Sequence, residues 1–316
     1  MKNTVRFTRL TRFSASAALL LLGLPNPARA AVQILACEPE WAALAQVLGG
    51  ARVNVSSATN ALQDPHQIQA KPSLIARARN ADLVLCTGAE LEIGWLPVLL
   101  QQSGNPRVQP GQPGNFAAAD MVRKLDVPAA LDRAQGDVHA AGNPHIQTDP
   151  RNIALVATAL AARLQQIDPA HTADYAAAQA DFSARWQQAM ARWALQAGPL
   201  KGLPVVSQHK AFGYLYDWLG LVEVAVLEPK PGVEPSASHL QTVMAALKRQ
   251  PARMVIHAAY QDPRPSDWLS KNASLPAVKL PFTVGGSDGA KDLFGLFDDT
   301  LARLLAAAAS ASGAAR

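Results

Sequence analysis

Residues 168–199 hold the feature that most limits how this chain can fold. Asp168-Pro169 opens a helical pattern that runs without an internal Gly or Pro to Gly198-Pro199. Asp followed by Pro at the first helical position is a strong start signal, and Gly-Pro is a strong stop. Some 28 helical residues make a rod of roughly 42 Å, about the length of a whole domain. Tyr175, Phe182, Trp186, Met190 and Trp193 recur at spacings of three, four and seven. One face of the rod must therefore pack against something large. The rod is either a long core helix or a strut joining two lobes.

On either side of it, short β-branched apolar runs alternate with helical patterns, the signature of βαβ units and mostly parallel sheets. In the first half, strands are expected at 32–37, 52–56 and 81–87, and helices at 38–48, 71–79 and 91–102. The stretch 103–142, rich in Pro, Gly, Gln and Ala, reads as long loops with one short strand or helix. Asp149-Pro150 opens a helix to about 166. In the second half, strands are expected at 203–207, 221–227, 253–258 and 277–280, and helices at 211–218, 237–249 and 291–305, with a fraying tail from 306. With 316 residues, 49% of them hydrophobic, there is core enough for two lobes. The expected fold class is α/β: an N-terminal lobe over 31–167, a linking helix over 168–197 and a C-terminal lobe over 198–316.

Residues 1–30 read as a cleavable signal peptide. Lys2, Arg6, Arg9 and Arg12 form a basic start, an apolar run follows from Ala15 to Leu24, and Ala28-Arg29-Ala30 is a small-x-small cleavage site. No later stretch reaches the length of a membrane span. The leader holds five of the 29 basic residues and none of the 24 acidic ones, so the remaining chain carries 24 of each. The formal charge of +5 thus belongs to the leader, and binding to nucleic acid or anionic membrane loses its support. An exported periplasmic protein is expected. In that oxidising setting Cys37 and Cys86, each ending an apolar run, favour a disulfide between neighbouring strands. Two buried thiols, or lipidation at Ile34-Leu35-Ala36-Cys37, are the other readings.

Three of the seven histidines share a setting: His66 in Asp64-Pro65-His66, His145 in Asn143-Pro144-His145, and His209 where a strand turns into a helix. In open α/β sheets, ligands bind beyond the carboxyl ends of strands. Each Pro restricts its loop and helps aim the imidazole that follows. The segments Asp64-Pro65-His66, Gly88 to Leu96, Gly142-Asn143-Pro144-His145 with Asp149-Pro150, His209 to Leu215, Glu234-Pro235-Ser236 and Gly285-Gly286 stand in an order that resembles the cluster A-I solute-binding proteins. These are the zinc and manganese receptors of bacterial ABC importers. The resemblance covers nearly all of the chain after the leader and implies two lobes bridged by a long helix, with a metal in the cleft between them.

It also implies ligation by His66, His145 and His209. Manganese members tend to carry Glu at the third position, so His209 points to one Zn2+ per chain, a metal that suits neutral imidazoles. For the fourth ligand, Asp288 is expected, with helix capping as its alternative role and with His257 or water as substitutes. Asp137 and His139 are the remnant of a metal-loading loop. His171 and His239 read as solvated, Glu90 and Glu92 as braces of the next helix, and Trp95, Tyr214 and Trp218 as core. The implied partners are an inner-membrane permease and ATPase and a possible periplasmic metallochaperone, with the protein itself a monomer. A zinc hydrolase is disfavoured, because no His-Glu-x-x-His occurs. An additional adhesin role stays open.

Overall fold

The computed structural model describes residues 31–128 and 139–313, together with Met1, Lys2 and Thr4. The rest of the expected leader, and Asp137, lie outside the described residues. Two four-stranded sheets, all parallel, repeat one plan. The first contains β1 (Val32–Ala36), β2 (Val53–Ser57), β3 (Leu83–Cys86) and β4 (Asn115–Ala117), ordered β2-β1-β3-β4. The second contains β5 (Pro204–Ser207), β6 (Val222–Val226), β7 (Met254–Ala258) and β8 (Ala277–Leu280), ordered β6-β5-β7-β8. Strands covered by helices on both faces read as unbroken apolar runs, and every residue of β3 and β7 is buried. In each sheet the first strand lies between the second and third, so the chain reverses its direction of travel there. This is the switch point at which α/β sheets open a crevice.

The helices are α1 (Pro39–Gly49), α2 (Pro72–Asn80), α3 (Leu96–Ser103), α4 (Pro150–Ile167), α5 (Thr172–Gln196), α6 (Gly213–Leu219), α7 (Ala237–Arg249), α8 (Arg264–Ala273) and α9 (Leu293–Gly313). The long rod is α5, and it answers to both sequence readings at once. Its buried face is Tyr175, Phe182, Trp186, Ala189 and Trp193, of which Phe182, Trp186 and Trp193 pack on Phe294 and Phe297 of α9. One continuous core runs from β1 through α5 to β5 and α9. The indole nitrogens are satisfied, Trp186 Nε1 donating to the Pro150 carbonyl at 2.8 Å and Trp193 Nε1 to Asp298 at 2.6 Å. No helix of the described residues is long and apolar enough to cross a membrane.

The departures from expectation have local causes. The rod starts later, because Pro169–His171 forms a 3-10 turn and the Asp168 carboxylate is spent on His171 Nδ1 and the Tyr175 hydroxyl. The helix expected from 91 begins at Leu96, with residues 91–95 in turns, since Pro97 fits the first turn of a helix and would clash with the Ile93 carbonyl if the helix started earlier. Helix α8 was not foreseen; it is a surface helix that buries only Ser266 and Leu269. The tail does not fray at 306, because α9 runs on to Gly313, with Ala307 buried in the main core and alanine favouring helix.

Cys37 and Cys86 are joined in a disulfide between the ends of β1 and β3, with Cα atoms 4.7 Å apart. Closing a loop of 49 residues stabilises the fold by about 4 kcal/mol through the unfolded chain's lost entropy. Cys37 is fully buried and bonded, which overturns the lipidation reading and the free-thiol reading alike.

Candidate metal centre

Three loops at the carboxyl ends of strands meet between the two sheets. The loop after β2 carries His66, the loop after β5 carries His209, and the segment leading into α4 carries His145. Their ring centroids lie 5.5 Å (His66–His145), 6.0 Å (His66–His209) and 5.5 Å (His145–His209) apart. One ligand nitrogen from each falls within 4.8 Å of the other two. A tetrahedral zinc with bonds near 2.05 Å needs nitrogens about 3.3 Å apart, so shifts on the order of an ångström close the set.

Each ring is held by the same device. His66 donates from its backbone nitrogen (3.0 Å) and from Nδ1 (2.7 Å) to Asp64 Oδ1. His145 donates from its backbone nitrogen (3.0 Å) and from Nδ1 (2.8 Å) to Asn143 Oδ1. The two Asx-Pro-His tripeptides are thus identical turns, in which the Asx oxygen takes both protons of the residue two places on. The Asn143 amide is oriented by its other contacts, Nδ2 donating to Asp126 (3.1 Å) and to the Lys210 carbonyl (3.2 Å). His209 Nδ1 donates to Glu228 Oε2 at 2.7 Å, a partner in the loop after β6. Carboxylate and side-chain amide oxygens only accept, so all three rings carry their proton on Nδ1 and present the Nε2 lone pair. His145 Nε2 is buried and has no hydrogen-bond partner.

The loops are braced by side chains expected only to fill core. Trp95 Nε1 donates to the Pro65 carbonyl at 2.9 Å, and the Tyr214 hydroxyl donates to the Asn143 carbonyl at 2.8 Å. Gly142, just before Asn143, sits at φ +100°, and a Cβ there would fall 2.7 Å from the Leu125 carbonyl oxygen.

Burial pushes the His145 imidazole well below its ordinary pKa, and the neighbouring His209, His66 and His139 push it the same way. Burial raises the Asp64 carboxyl, but the bonds from His66 outweigh it and hold Asp64 below its usual range. The imidazoles are reached from two sides. A cavity of about 460 Å³ is lined by His139, His145, His209 and Lys210, and one of about 250 Å³ by Asp64, His66, Glu228 and Tyr260. Phe282, edge-on to His145 at 5.6 Å, walls the group on a third side.

Asp288 does not join this group. It is exposed in a turn that Gly285, at φ +88°, closes by donating to the Ala290 carbonyl at 2.6 Å. It does not cap the last helix either, a role taken by Asp292, which accepts from Gly295 N at 2.7 Å. His257 is buried at the end of β7, also outside the group. His139 stacks on His66 at 5.4 Å. His171 and His239 are half-buried rather than solvated, engaging Asp168 at 2.6 Å and the Val226 carbonyl at 3.0 Å. Glu90 braces a loop rather than a helix, accepting from Ala140 N at 2.5 Å. Glu92 accepts from Thr87 N at 2.8 Å and Gly88 N at 3.1 Å. The residues that sequence reasoning missed are Asp64, Asn143 and Glu228; for the first two the repeated Asx-Pro-His was the available signal.

Comparison with known proteins agrees with this geometry. The family described as "ZnuA: Zinc-uptake complex component A periplasmic" matches residues 34–307. The manganese ABC transporter substrate-binding lipoprotein PsaA of Streptococcus pneumoniae is 22% identical over 241 residues, covering 75% of this chain and 74% of its own. The zinc-binding lipoprotein AdcA of the same species is 25% identical over 238 residues, 72% of this chain and 45% of its own. A crystal structure of ZnuA superposes with a TM-score of 0.69 at 21% identity, covering 89% of this chain and 98% of the other. A periplasmic metal binding protein from Candidatus Liberibacter asiaticus gives 0.70 at 16% identity, covering 87% and 98%. The chain belongs to the ZnuA family and is a metal-binding receptor of an ABC importer, working with a membrane permease and ATPase rather than as an enzyme.

Proposed function

We propose that this receptor captures a single zinc ion, held by Nε2 of His66, His145 and His209, and delivers it to its permease in the periplasm. The observation that carries this reading is the pinning of all three Nδ1 atoms, which leaves Nε2 of each ring for a metal, in a group where one ligand nitrogen from each lies within 4.8 Å of the other two. Relatives are named for manganese, zinc and iron, so the choice of metal rests on the donors of this chain. A set of three imidazoles without a carboxylate suits borderline zinc, whereas manganese favours oxygen. With Asp288 outside the group, the fourth position falls to water. The basic and apolar leader supports export, and the buried disulfide suits an oxidising compartment.

In this mechanism the chain's own part is positional. Asp64, Asn143 and Glu228 fix the tautomers, burial keeps His145 unprotonated, and α5, continuous with both sheets' core, restricts the lobes to small relative tilts. Acidification protonates the ligands and weakens binding. The test is elemental analysis of the purified protein, followed by chelator competition with zinc, manganese and iron(II). A one-to-one zinc complex tighter than the others is expected. Tighter manganese binding, or a stoichiometry unchanged when His66, His145 and His209 are all replaced by alanine, would refute the assignment.

A further inference from the structure

We propose that reduction of the Cys37–Cys86 disulfide creates a second metal site, in which the two thiolates and the Glu92 carboxylate bind one thiophilic divalent cation. The site shares no residue with the histidine group and does not rest on it. The two sulfurs and one Glu92 oxygen lie within 4.8 Å of one another. All three side chains are at least 97% buried. Their backbone is fixed, since Cys86 ends β3, Cys37 directly follows the paired strand β1, and Cys37 N donates to the Leu85 carbonyl at 2.8 Å. Glu92 is anchored by the Thr87 and Gly88 amides, which take up part of its accepting capacity and leave the rest for a cation.

A fourth donor stands beside them. Glu38, next in sequence to Cys37, accepts from the Thr87 hydroxyl at 3.0 Å through Oε2, while its Oε1 is buried without a partner. Among the described residues no lysine, arginine or histidine forms an ion pair with Glu38 or Glu92. Two buried acids without a counter-charge are costly for a fold to keep. Sulfur and carboxylate together make a donor set for zinc, cadmium or cobalt(II) once the sulfurs are free. The step balances as a thiol–disulfide exchange. An external dithiol gives up two electrons and two protons, closing its own disulfide as the Cys37–Cys86 bond opens to two thiols. The cation then displaces both thiol protons to solvent.

The full chain, untreated or reduced with dithiothreitol and desalted without oxygen, is titrated with cobalt(II). The oxidised chain should take one cobalt with no sulfur-to-cobalt charge-transfer absorption, a reading that reports on the histidine site alone. The reduced chain should take a second cobalt that brings this absorption. Glu92→Gln, whose amide oxygen can still accept from Thr87 N, should weaken that second site at least tenfold and leave the first unchanged. A reduced chain that keeps its native circular dichroism yet takes no further cobalt, or takes it without the sulfur band, overturns the proposal. So does a reduced chain that loses the native spectrum and does not regain it with cobalt.

Discussion

Two sets of titratable side chains are withdrawn from solvent in this protein: the imidazoles between the sheets, His145 and His209 buried and His66 half-buried, and the buried carboxylates of Glu38, Glu40 and Glu92 around the ends of β1 and β3. Burial drives His145 in the first set and all three carboxyls in the second toward the neutral form, and that has opposite consequences. A neutral imidazole keeps a lone pair for a metal, so pushing His145 down prepares it to bind. A neutral carboxylic acid is a poor ligand and a good hydrogen-bond donor. Burial pushes Glu40 and Glu92 up to about 7 and Glu38 well above its usual value. The imidazoles also face two cavities, whereas the carboxylates are spent on internal ties; Glu40 accepts from the Thr283 hydroxyl across to the second sheet's side of the molecule. In the same desolvation, histidines make a site for cargo, and the acids, while the Cys37–Cys86 disulfide is closed, make structure.

That contrast can be broken by substitution. The largest effect is expected from His145→Ala, which should weaken zinc binding more than about a hundredfold in chelator competition, beyond the 10–100-fold typical of a residue that only orients a ligand. Glu40→Gln should leave zinc affinity within twofold; a tenfold loss would mean that the two buried sets are coupled. Next comes Glu228→Ala, which frees the His209 ring and should cost about 10–100-fold in affinity. Asp64→Asn keeps an acceptor for His66 Nδ1 and loses only the charge, so about tenfold or less is expected. Equal losses for Glu228→Ala and Asp64→Asn would show that charge, not aim, is what the carboxylates supply.

Metal-free stability should shift as well. Glu40 ionises near 4.5 unfolded and about 7 folded, so its contribution is fully present below pH 4.5 and is lost as pH rises through 7. Urea titration of Glu40→Gln should therefore show a gain over the native chain that grows between pH 4.5 and 7, on the order of 3 kcal/mol. His145 runs the other way, its contribution being present above pH 6.5 and lost on acidification below it. His145→Ala should gain relative to the native chain only as pH falls below 6.5.

The sheets were readable because parallel strands buried on both faces leave apolar runs that no surface element imitates, as in β3 and β7. His66 and His145 were readable because their restraint is local: acceptor, proline and imidazole are consecutive residues. The restraint on His209 was not, since Glu228 lies 19 residues away on another loop, and only the parallel pairing of β5 with β6 brings the two together. Asp288 misled because proximity in sequence to the last strand says nothing of the turn that Gly285 imposes. Glu38-Pro39-Glu40 looks like the acidic opening of a helix, yet the Glu38 carboxyl does not cap α1 and turns to Thr87 instead. The sequence pattern marks where acids stand and is silent on which way they point.

The central claim is that three imidazoles share one zinc through Nε2. A zinc K-edge X-ray absorption spectrum of the protein loaded one-to-one tests it most directly. The account predicts a four-coordinate shell of nitrogen and oxygen near 2.0 Å, with the outer-shell scattering of three imidazole rings. A shell fitted by fewer than two imidazoles, or one containing sulfur in the oxidised protein, would contradict it.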